Sequence, residues 1–453
     1  MTTTLILTTV RLGRTHKGVH MQKIHRVMLA GLLVLGTIMT LSVMAAEDDA
    51  APETFLEALA AGQPSVDVRL RYEHADASGL DAGHALTVRT RLGYATAPYH
   101  GLHAFVEFED VRALLADSEY NQAGLNPEGA GKAVIADVEG TELNQAYLEA
   151  SCPEGNLTLR VGRQRMILDN ARFIGNVGWR QNEQTYDAVR LDTAEFFGLK
   201  LTYAYLDAVR RIFGQERGAE PVGEAGNAAR YESDSHLVNL AFTPCDHFTG
   251  RAYAYLLDLG HGTTGQANSS DTYGISGTIG HTFENDVTAG CELEYARQSD
   301  NGGTTDGVNY DADYIKLEAS AGLKAIGLGV GYELLGSDEG SAFRTPLATG
   351  HKFNGWADVF LTTPGEGLQD LYAYVTLKCP RDIMPTIRIV YHDFESDEGD
   401  IAYGDEIDVV ATKKFNDRVT MIAKYANYQA DDSADNPRAA DVERISIQAG
   451  LTF

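Results

Sequence analysis

Apolar and polar residues alternate at every second position in many segments of the chain beyond residue 65. In VDVRLRYE (66–73), valine, leucine and tyrosine fall on one face, while aspartate, arginine and glutamate fall on the other. Similar alternation recurs in LTVRTRLGY (86–94), LKLTYAY (199–205), PTIRIVYHDF (385–394) and RISIQAGLTF (444–453). Successive side chains of a β-strand point to opposite faces, so this pattern predicts a chain made largely of strands.

The chemistry of the two faces distinguishes a soluble sandwich from a membrane barrel. The polar face is rich in Gly, Ser and Thr as well as charge, and tyrosines cluster near the ends of the predicted strands. The last strand is apolar at alternate positions up to the terminal Phe453. A barrel with lipid outside and a polar lumen accounts for both faces. The predicted fold class is therefore all-β, a transmembrane antiparallel β-barrel whose last strand pairs with its first.

The lengths of the connections give a strand count. From Val66 onwards, nine long joints alternate with eight short ones, which predicts about eighteen strands. This count places the segment 356–361 in a long loop, because one more strand there would break the alternation. Short turns on one side and long loops on the other are typical of bacterial outer-membrane barrels, with both ends in the periplasm.

The N-terminal region predicts export. Residues 21–46 combine a basic start, a long apolar run and small residues before the acidic EDDA. This is the three-part pattern of a secretory signal, with cleavage near Ala45/Ala46, and Met21 is an alternative start. The predicted organisation is a signal peptide at 1–45, a short periplasmic segment at 46–65, and an outer-membrane barrel with long extracellular loops at 66–453.

The charge balance excludes one class of partner. Residues 1–45 hold five of the 37 basic residues and none of the 64 acidic ones, so the mature part carries a formal charge of −32. A chain this acidic is unsuited to binding nucleic acid. After residue 46, no apolar run approaches the roughly 18 to 20 residues that a membrane helix needs.

Side-chain parity predicts an arginine-rich side of the lumen. Arg69, Arg71, Arg89 and Arg91 share the inward face of the first two strands, and Arg160 follows on a later one. Acids without close basic neighbours dominate strands eleven to thirteen, across the barrel. One hypothesis is a guanidinium-rich wall suited to carboxylates, which accept paired N–H donors.

The alternative hypothesis is structural. Opposite charges on neighbouring strands form ladders that stabilise a sheet without contacting any solute. Both hypotheses stay open at the level of sequence, and the two functions are compatible. The pairs expected from this alternative are Arg89 and Arg91 with Glu107 and Glu109, and Arg160 with Glu149.

Two long segments resemble a known family. VGRQRMILDNARFIGNVGWRQNEQTYDAVRL (161–191) and FRTPLATGHKFNGWADVFLTTPGEGLQDLY (343–372) look like signature segments of the alginate-export family of outer-membrane porins. The resemblance implies an eighteen-stranded barrel, and the founding activity of that family is passage of an anionic uronate polysaccharide along an arginine-lined lumen. It also implies further pore-lining candidates at matching positions: Arg163, Arg165, Asp169, Arg172, Arg180, Arg190, Arg344, Lys352 and Asp358.

The long connections add a structural question. Arg163 and Arg165 begin a loop long enough to fold back into the lumen. The stretch 336–368 is long enough as well, and the sequence leaves open whether it or the loop 165–185 does so. Loops that fold inwards would determine what can pass.

These observations predict a passive outer-membrane channel rather than an enzyme. No CxxC, HExxH, GxSxG or P-loop pattern occurs, and we predict no catalytic residue, metal site or cofactor. The expected solute is a hydrophilic, anionic, uronate-like saccharide or another small solute. The alternatives are a general small-solute porin and a surface-binding protein anchored by its barrel. Expected partners are outer-membrane lipid, lipopolysaccharide, the solute, and the barrel-insertion machinery, which would recognise the strand ending in Phe453.

Overall fold

The structure is a computed structural model in which a short helix precedes a large sheet. It describes residues 52–116, 119–152, 157–214, 221–222, 227–260, 267–284, 286–301, 309–379 and 383–453, so the predicted signal peptide at 1–45 lies outside the described residues. Helix α1 (Phe55–Ala60) begins with a capping box, in which the Thr54 hydroxyl accepts from the Glu57 N–H and the Glu57 carboxylate accepts from the Thr54 N–H.

Eighteen strands form one antiparallel sheet, and each strand pairs with the next along the chain. The predicted strand count is therefore confirmed. The strands are β1 (Gln63–Ala77), β2 (Gly83–Ala95), β3 (Leu102–Ala113), β4 (Gly140–Ser151), β5 (Leu157–Gln164), β6 (Thr185–Thr193), β7 (Leu199–Arg210), β8 (Arg230–Cys245), β9 (Phe248–Leu257), β10 (Ser270–Thr282), β11 (Val287–Ser299), β12 (Asp311–Leu323), β13 (Ile326–Leu335), β14 (Leu368–Leu377), β15 (Thr386–Glu395), β16 (Ala402–Lys414), β17 (Val419–Ala430) and β18 (Val442–Thr452).

Smaller elements occur in the long connections. Two-residue strands pair as Pro221–Val222 with Asn227–Ala228, and as Ser337–Asp338 with Ser341–Ala342. Single 3₁₀ turns cover Pro127–Gly129 and Gly350–Lys352. In the part of the chain that the structure describes, no helix is long and apolar enough to span a membrane.

The barrel closes between its first and last strands, as predicted. The register runs from Asp67 opposite Thr452 to Ala77 opposite Val442. The Val66 N–H donates to the Phe453 carbonyl at 3.1 Å, and the Phe453 N–H donates to the Val66 carbonyl at 2.9 Å. Since the edges of β1 and β18 satisfy each other, the sheet leaves no open edge towards lipid.

The outer face carries the apolar set predicted for contact with lipid. Large apolar side chains such as Leu70, Leu148 and Ile279 are exposed at alternate positions of their strands. The same strands turn charged residues inwards, and Arg71 and Glu73 of β1 are buried. This alternation of lipid-facing and lumen-facing residues is the arrangement of an outer-membrane barrel.

The lumen is not polar throughout, which corrects the sequence-based expectation. Inward tyrosines near the long-loop end of the strands, such as Tyr255, Tyr314 and Tyr428, are fully buried rather than placed in an interfacial belt. They belong to an apolar core that also contains Phe343 and Phe360 from the connection between β13 and β14. The barrel therefore packs an apolar core inside itself, against loops that enter from one end.

Candidate functional site

Two long connections fold into the lumen. They are the first inward loop (165–184), between β5 and β6, and the second inward loop (336–367), between β13 and β14. The segment 356–361 lies in the second loop and forms no strand, as predicted. The structure thus answers the question that the sequence left open, because both connections enter the barrel.

Backbone hydrogen bonds join the two inward loops. The Gly175 N–H donates to the Leu347 carbonyl at 2.8 Å, and the Thr349 N–H donates to the Ala171 carbonyl at 3.0 Å. The approach at Gly175 is close, since a Cβ there would lie 2.3 Å from Oγ1 of Thr349. Only glycine allows this contact, so the loops form one interlocked unit.

The apolar core holds the loops against the barrel wall. Phe173 of the first loop packs against Tyr253 of β9 and Tyr314 of β12, with ring centroids 5.3 Å apart in each pair. Phe360 of the second loop packs against Phe394 of β15 at 4.5 Å. Aromatic pairs of this kind contribute to stability beyond the area that they bury.

Two predicted arginines of β1 bind the first inward loop through its backbone. The Arg69 guanidinium donates to the carbonyls of Gly178 and Arg180 at 3.1 and 3.0 Å. Arg71 donates to the Trp179 carbonyl at 2.5 Å, and its guanidinium lies 3.7 Å from the centroid of the indole ring. These side chains anchor a loop. Neither the hypothesis of a solute-binding arginine wall nor that of charge ladders between strands predicted this role.

A buried ionic chain connects both loops to the wall. Arg180 of the first loop donates to Asp358 of the second at 2.7 Å and contacts Glu73 of β1 at 3.2 Å. Asp358 in turn contacts Nδ1 of His351 at 2.7 Å, and the ammonium of Lys424 on β17 lies 2.9 Å from His351 Nε2. Two predicted residues, Arg180 and Asp358, are therefore brought together at the centre of the interlock.

The protonation states in this chain follow from its surroundings. Burial and the neighbouring Lys424 charge lower the pKa of His351 to about 3. The neutral imidazole can then accept from Lys424 at Nε2 and donate from Nδ1 to Asp358. Burial alone would raise the pKa of Asp358, but His351 and Arg180 hold it well below its usual range. Asp358 is therefore ionised and His351 is neutral at ordinary pH.

A pair of carboxylates fixes the second inward loop to β16. The Ala357 N–H donates to Glu406 at 2.7 Å, and the Trp356 N–H donates to Asp408 at 3.1 Å. Gly355 has a positive φ of 82°, and a Cβ there would lie 2.3 Å from Glu406 Oε2. A left-handed backbone favours glycine at this position, and a side chain here would displace the Glu406 carboxylate.

The acidic wall predicted on the far side of the lumen also binds the loops. Arg172 of the first loop forms a buried salt bridge to Glu333 of β13 at 2.8 Å, and it donates to the Asn354 side chain at 2.9 Å. Glu333 also accepts from Asn354 at 2.7 Å. The pKa of Arg172 is raised, because the Glu333 charge outweighs the effect of burial.

The remaining predicted residues are mostly paired within the protein. Arg160 pairs with Glu149 as the ladder hypothesis expects, but Arg89 pairs with Asp67 instead of an acid of β3. The other pairs are Arg91 with Glu109 and Glu183, Arg163 with Asp187, Arg165 with Glu183, Arg190 with Asp192, Asp169 with Arg251, and Lys352 with the Asn170 carbonyl.

The interlocked loops leave space on both sides. The outer cavity, about 590 Å³, opens among the long loops and is bordered by Arg180, Arg344 and Asp358 of the predicted set. The inner recess, about 370 Å³, lies towards the short turns and is lined by Arg160 and Arg165 of that set. Five of the predicted residues thus border the two openings, and Arg180 and Asp358 also belong to the interlock between them.

Sequence reasoning missed three residues of the outer cavity. Arg211 follows β7, and its guanidinium lies 4.7 Å from the ring centroids of Phe213 and Tyr231. Burial lowers the pKa of Arg211. The sequence feature that could have indicated these residues is RRIF (210–213), which places an arginine and an aromatic residue immediately after a strand. The cavity thus combines cationic groups with aromatic faces.

Comparison with known proteins is consistent with this geometry. A model of the alginate-export family matches residues 64–204. The matched part runs from β1 into β7 and includes the first inward loop. No curated relative matches the chain.

Solved structures share the barrel fold. OccAB4 of Acinetobacter baumannii aligns with a TM-score of 0.63 and 14% identity, over 86% of this chain and 98% of that chain. OccK9 (OpdG) of Pseudomonas aeruginosa aligns with a TM-score of 0.65 and 14% identity, over 87% and 100%. OccK3 (OpdO) of Pseudomonas aeruginosa gives 0.64 and 13%, over 88% and 97%. The alginate-export match and the closed barrel together support an outer-membrane channel rather than an enzyme.

Proposed function

We propose that this barrel is a passive channel for hydrophilic anionic solutes, with uronate-like saccharides or small carboxylates as the class carried. The proposed location is the bacterial outer membrane, after signal-peptide cleavage near Ala45/Ala46. The observation that carries the proposal is the composition of the outer cavity, in which Arg211 and Arg344 border the space beside aromatic rings.

The chemistry of these side chains suits a uronate. Arg344 lies 5.4 Å from the centroid of the Tyr310 ring, and no salt bridge to Arg344 occurs among the residues that the structure describes. A guanidinium presents paired N–H donors to a carboxylate, and an aromatic face offers an apolar platform to a sugar ring. The outer cavity would therefore attract the charge and accommodate the ring of the same molecule.

The arginines divide between structure and transport in this proposal. The side chains of Arg71 and Arg89 are 0% and 1% exposed and are committed to the barrel and the first inward loop. Those of Arg160 and Arg165 are 27% and 35% exposed and border the inner recess. We assign solute contact to Arg211 and Arg344 in the outer cavity, and to Arg160 and Arg165 in the inner recess. The interlocked loops would shift to let the solute pass between the two.

Bilayer electrophysiology tests the proposal. In a salt gradient, wild-type barrel should give a reversal potential on the anion-selective side, and uronate oligomers should block the current. Replacing Arg211 and Arg344 together by Gln should move the reversal potential towards cations and weaken the block. Each contact contributes at most about 1 kcal/mol in a wet pore. Added salt should therefore reduce the difference, because screening acts over roughly 10 Å at 0.1 M.

The matched control is Arg297→Gln, an exposed arginine of β11 that pairs with Asp311 and Asp313. It should leave both the selectivity and the block unchanged. A strongly cation-selective wild type that uronates never block would show that the solute class is wrong and favour a general small-solute porin. Absence of any steady current would favour the anchored surface-binding protein.

A further inference from the structure

A histidine pair lies on the outer face of the barrel, away from the lumen. His74 of β1 and His84 of β2 stand directly opposite each other in the strand register. Both lie close to the rim that carries the long loops, on the face that β1 turns away from Arg71 and Glu73. The side chain of His74 is 19% exposed, so this pair is accessible at the edge of the membrane.

The two rings bring their nitrogens together. Nδ1 of His74 lies 3.3 Å from Nδ1 of His84, and the ring centroids are 4.7 Å apart with planes 24° from parallel. When two imidazole nitrogens each lie about 2.1 Å from one tetrahedral zinc ion, they are separated by roughly 3.4 Å. We propose that His74 and His84 form a binding site for a divalent transition-metal ion such as Zn²⁺.

Neighbouring groups favour a cation at this position. The Tyr72 hydroxyl lies 3.1 Å from Nδ1 of His84, within reach of a third ligand or of a hydrogen bond to one. Glu443 Oε1 of β18 lies 4.0 Å from Nε2 of His74, and the Tyr425 hydroxyl orients that carboxylate by donating to it at 3.2 Å. The carboxylate places a negative charge beside the imidazole ring that would hold the ion.

The ligand set defines which ions fit. Imidazole nitrogen suits Zn²⁺, Cu²⁺ and Ni²⁺, whereas Ca²⁺ and Mg²⁺ require oxygen ligands. No cluster of three or more His, Cys, Asp or Glu side chains in the described ranges is arranged to hold a metal ion. The protein therefore supplies two nitrogens here, and water or a lipid phosphate completes the coordination.

Binding needs both Nδ1 lone pairs. In the present contact one Nδ1 donates to the other, so its proton must move to Nε2 of the same ring when the ion enters. Two neutral imidazoles can do this by tautomer exchange, without net proton release.

The position gives the ion a structural consequence. His74 and His84 belong to β1 and β2, and Glu443 of β18 lies next to them, so the site borders the seam where the barrel closes. An ion bound only to the folded barrel stabilises it by mass action, by about a hundredfold in the folded-to-unfolded ratio at a hundred times the Kd. Zn²⁺ should therefore raise the temperature at which the barrel unfolds.

Calorimetric titration of the full chain, folded in detergent with its thiols alkylated, tests the site. We expect the wild type to bind one Zn²⁺ that Ca²⁺ does not displace. His74→Asn and His84→Asn should each weaken binding at least tenfold and abolish the Zn²⁺-dependent rise in unfolding temperature, measured by heat modifiability on gels. The same gels show whether each variant is folded.

His236→Asn is the matched control. His236 is a single outward histidine of β8 whose Nδ1 lies 2.9 Å from the Tyr203 hydroxyl, so it reproduces the tyrosine contact without a second imidazole. This control should bind Zn²⁺ as the wild type does. Unchanged binding in both His74→Asn and His84→Asn, or no binding by the wild type, would overturn the site. A further test needs no variant: Cu²⁺ bound to the wild type should give an EPR spectrum with nitrogen ligands. A spectrum from oxygen ligands alone would also overturn the site.

Discussion

The indole ring of Trp179 lies flat on the imidazole ring of His351, with ring centroids 3.9 Å apart and planes 5° from parallel. Trp179 belongs to the first inward loop and His351 to the second. The Lys424 ammonium lies 3.9 Å from the indole centroid, and the Arg71 guanidinium lies 3.7 Å from it. One aromatic ring thus joins both loops to β1 and β17, and the predictions below begin with this contact.

Asp358→Asn should loosen the interlock. The substitution removes one of the two carboxylates that neutralise Arg180, and the one that orients His351, and breaking a buried ion pair costs about 3–5 kcal/mol. We expect a larger and noisier single-channel conductance, measured in planar bilayers. Asp110→Asn is the control, because Asp110 pairs with Arg112 at an exposed position. Identical conductance in the wild type and Asp358→Asn would show that these loops do not limit the current.

Acidification should weaken the interlock in a defined window. The pKa of His351 is lowered from 6.5 to about 3 by burial and by Lys424, with Arg180 adding to the effect and Asp358 opposing it. The neutral imidazole therefore stabilises the folded arrangement fully above pH 6.5, and this contribution is lost as the pH falls towards 3. Conductance should rise over that range.

His351→Gln provides the comparison for this pH effect. Glutamine keeps a donor and an acceptor but does not titrate, so the rise of conductance between pH 6.5 and 3 should flatten. The Asp358 carboxylate, whose pKa is also lowered, contributes only below its ordinary value of 3.8. A rise of equal size in the wild type and His351→Gln would assign the effect to other groups.

Topology can be tested with two exposed aspartates at opposite ends of β17. Asp432 lies in the connection to β18, and Asp417 lies in the short turn before β17. With the native cysteines replaced by Ser, Asp432→Cys should react with an impermeant thiol reagent on intact cells, and Asp417→Cys should not. Labelling of Asp417→Cys alone would invert the barrel.

Deletion of Phe453 should reduce assembly. Its backbone forms the last two hydrogen bonds of the seam with Val66, and the Arg418 guanidinium lies 5.2 Å from its ring. We expect less heat-modifiable barrel in the outer membrane, quantified by immunoblot. Phe415→Ala is a comparison at an exposed ring in a short turn. Wild-type amounts after the deletion would exclude Phe453 as a mark for the insertion machinery.

The barrel itself was predictable because lipid imposes one rule on every strand. Each outward position must be apolar and each backbone group must pair, so alternation alone gives strand number, direction and closure. The segment 356–361 illustrates the strength of this rule. It is rich in apolar residues, yet the alternation of long and short joints assigned it to a loop, where the structure places it.

The interior followed no such rule. The position of Gly175 depends on Thr349, and the position of Gly355 depends on Glu406, so the loop conformations arise from contacts between distant segments. In the sequence, the inward tyrosines looked like an interfacial belt. Their actual partners, Phe173 and Phe360, lie in loops that have no periodic pattern, so nothing in the sequence indicated the contact. Parity placed the arginines inside the barrel, but it could not show which of them bind loop carbonyls.

The seam between β1 and β18 has a kinetic consequence. Every other pair of neighbouring barrel strands is consecutive in sequence, so it can form as soon as both strands exist. The contact of Val66 with Phe453 instead joins the two ends of the sheet. The entropic cost of closing the sheet into a ring therefore falls on this single pair of strands. Closure must therefore wait for β18, and until then the nascent sheet presents two unpaired edges that a catalyst of insertion would have to hold apart from other strands.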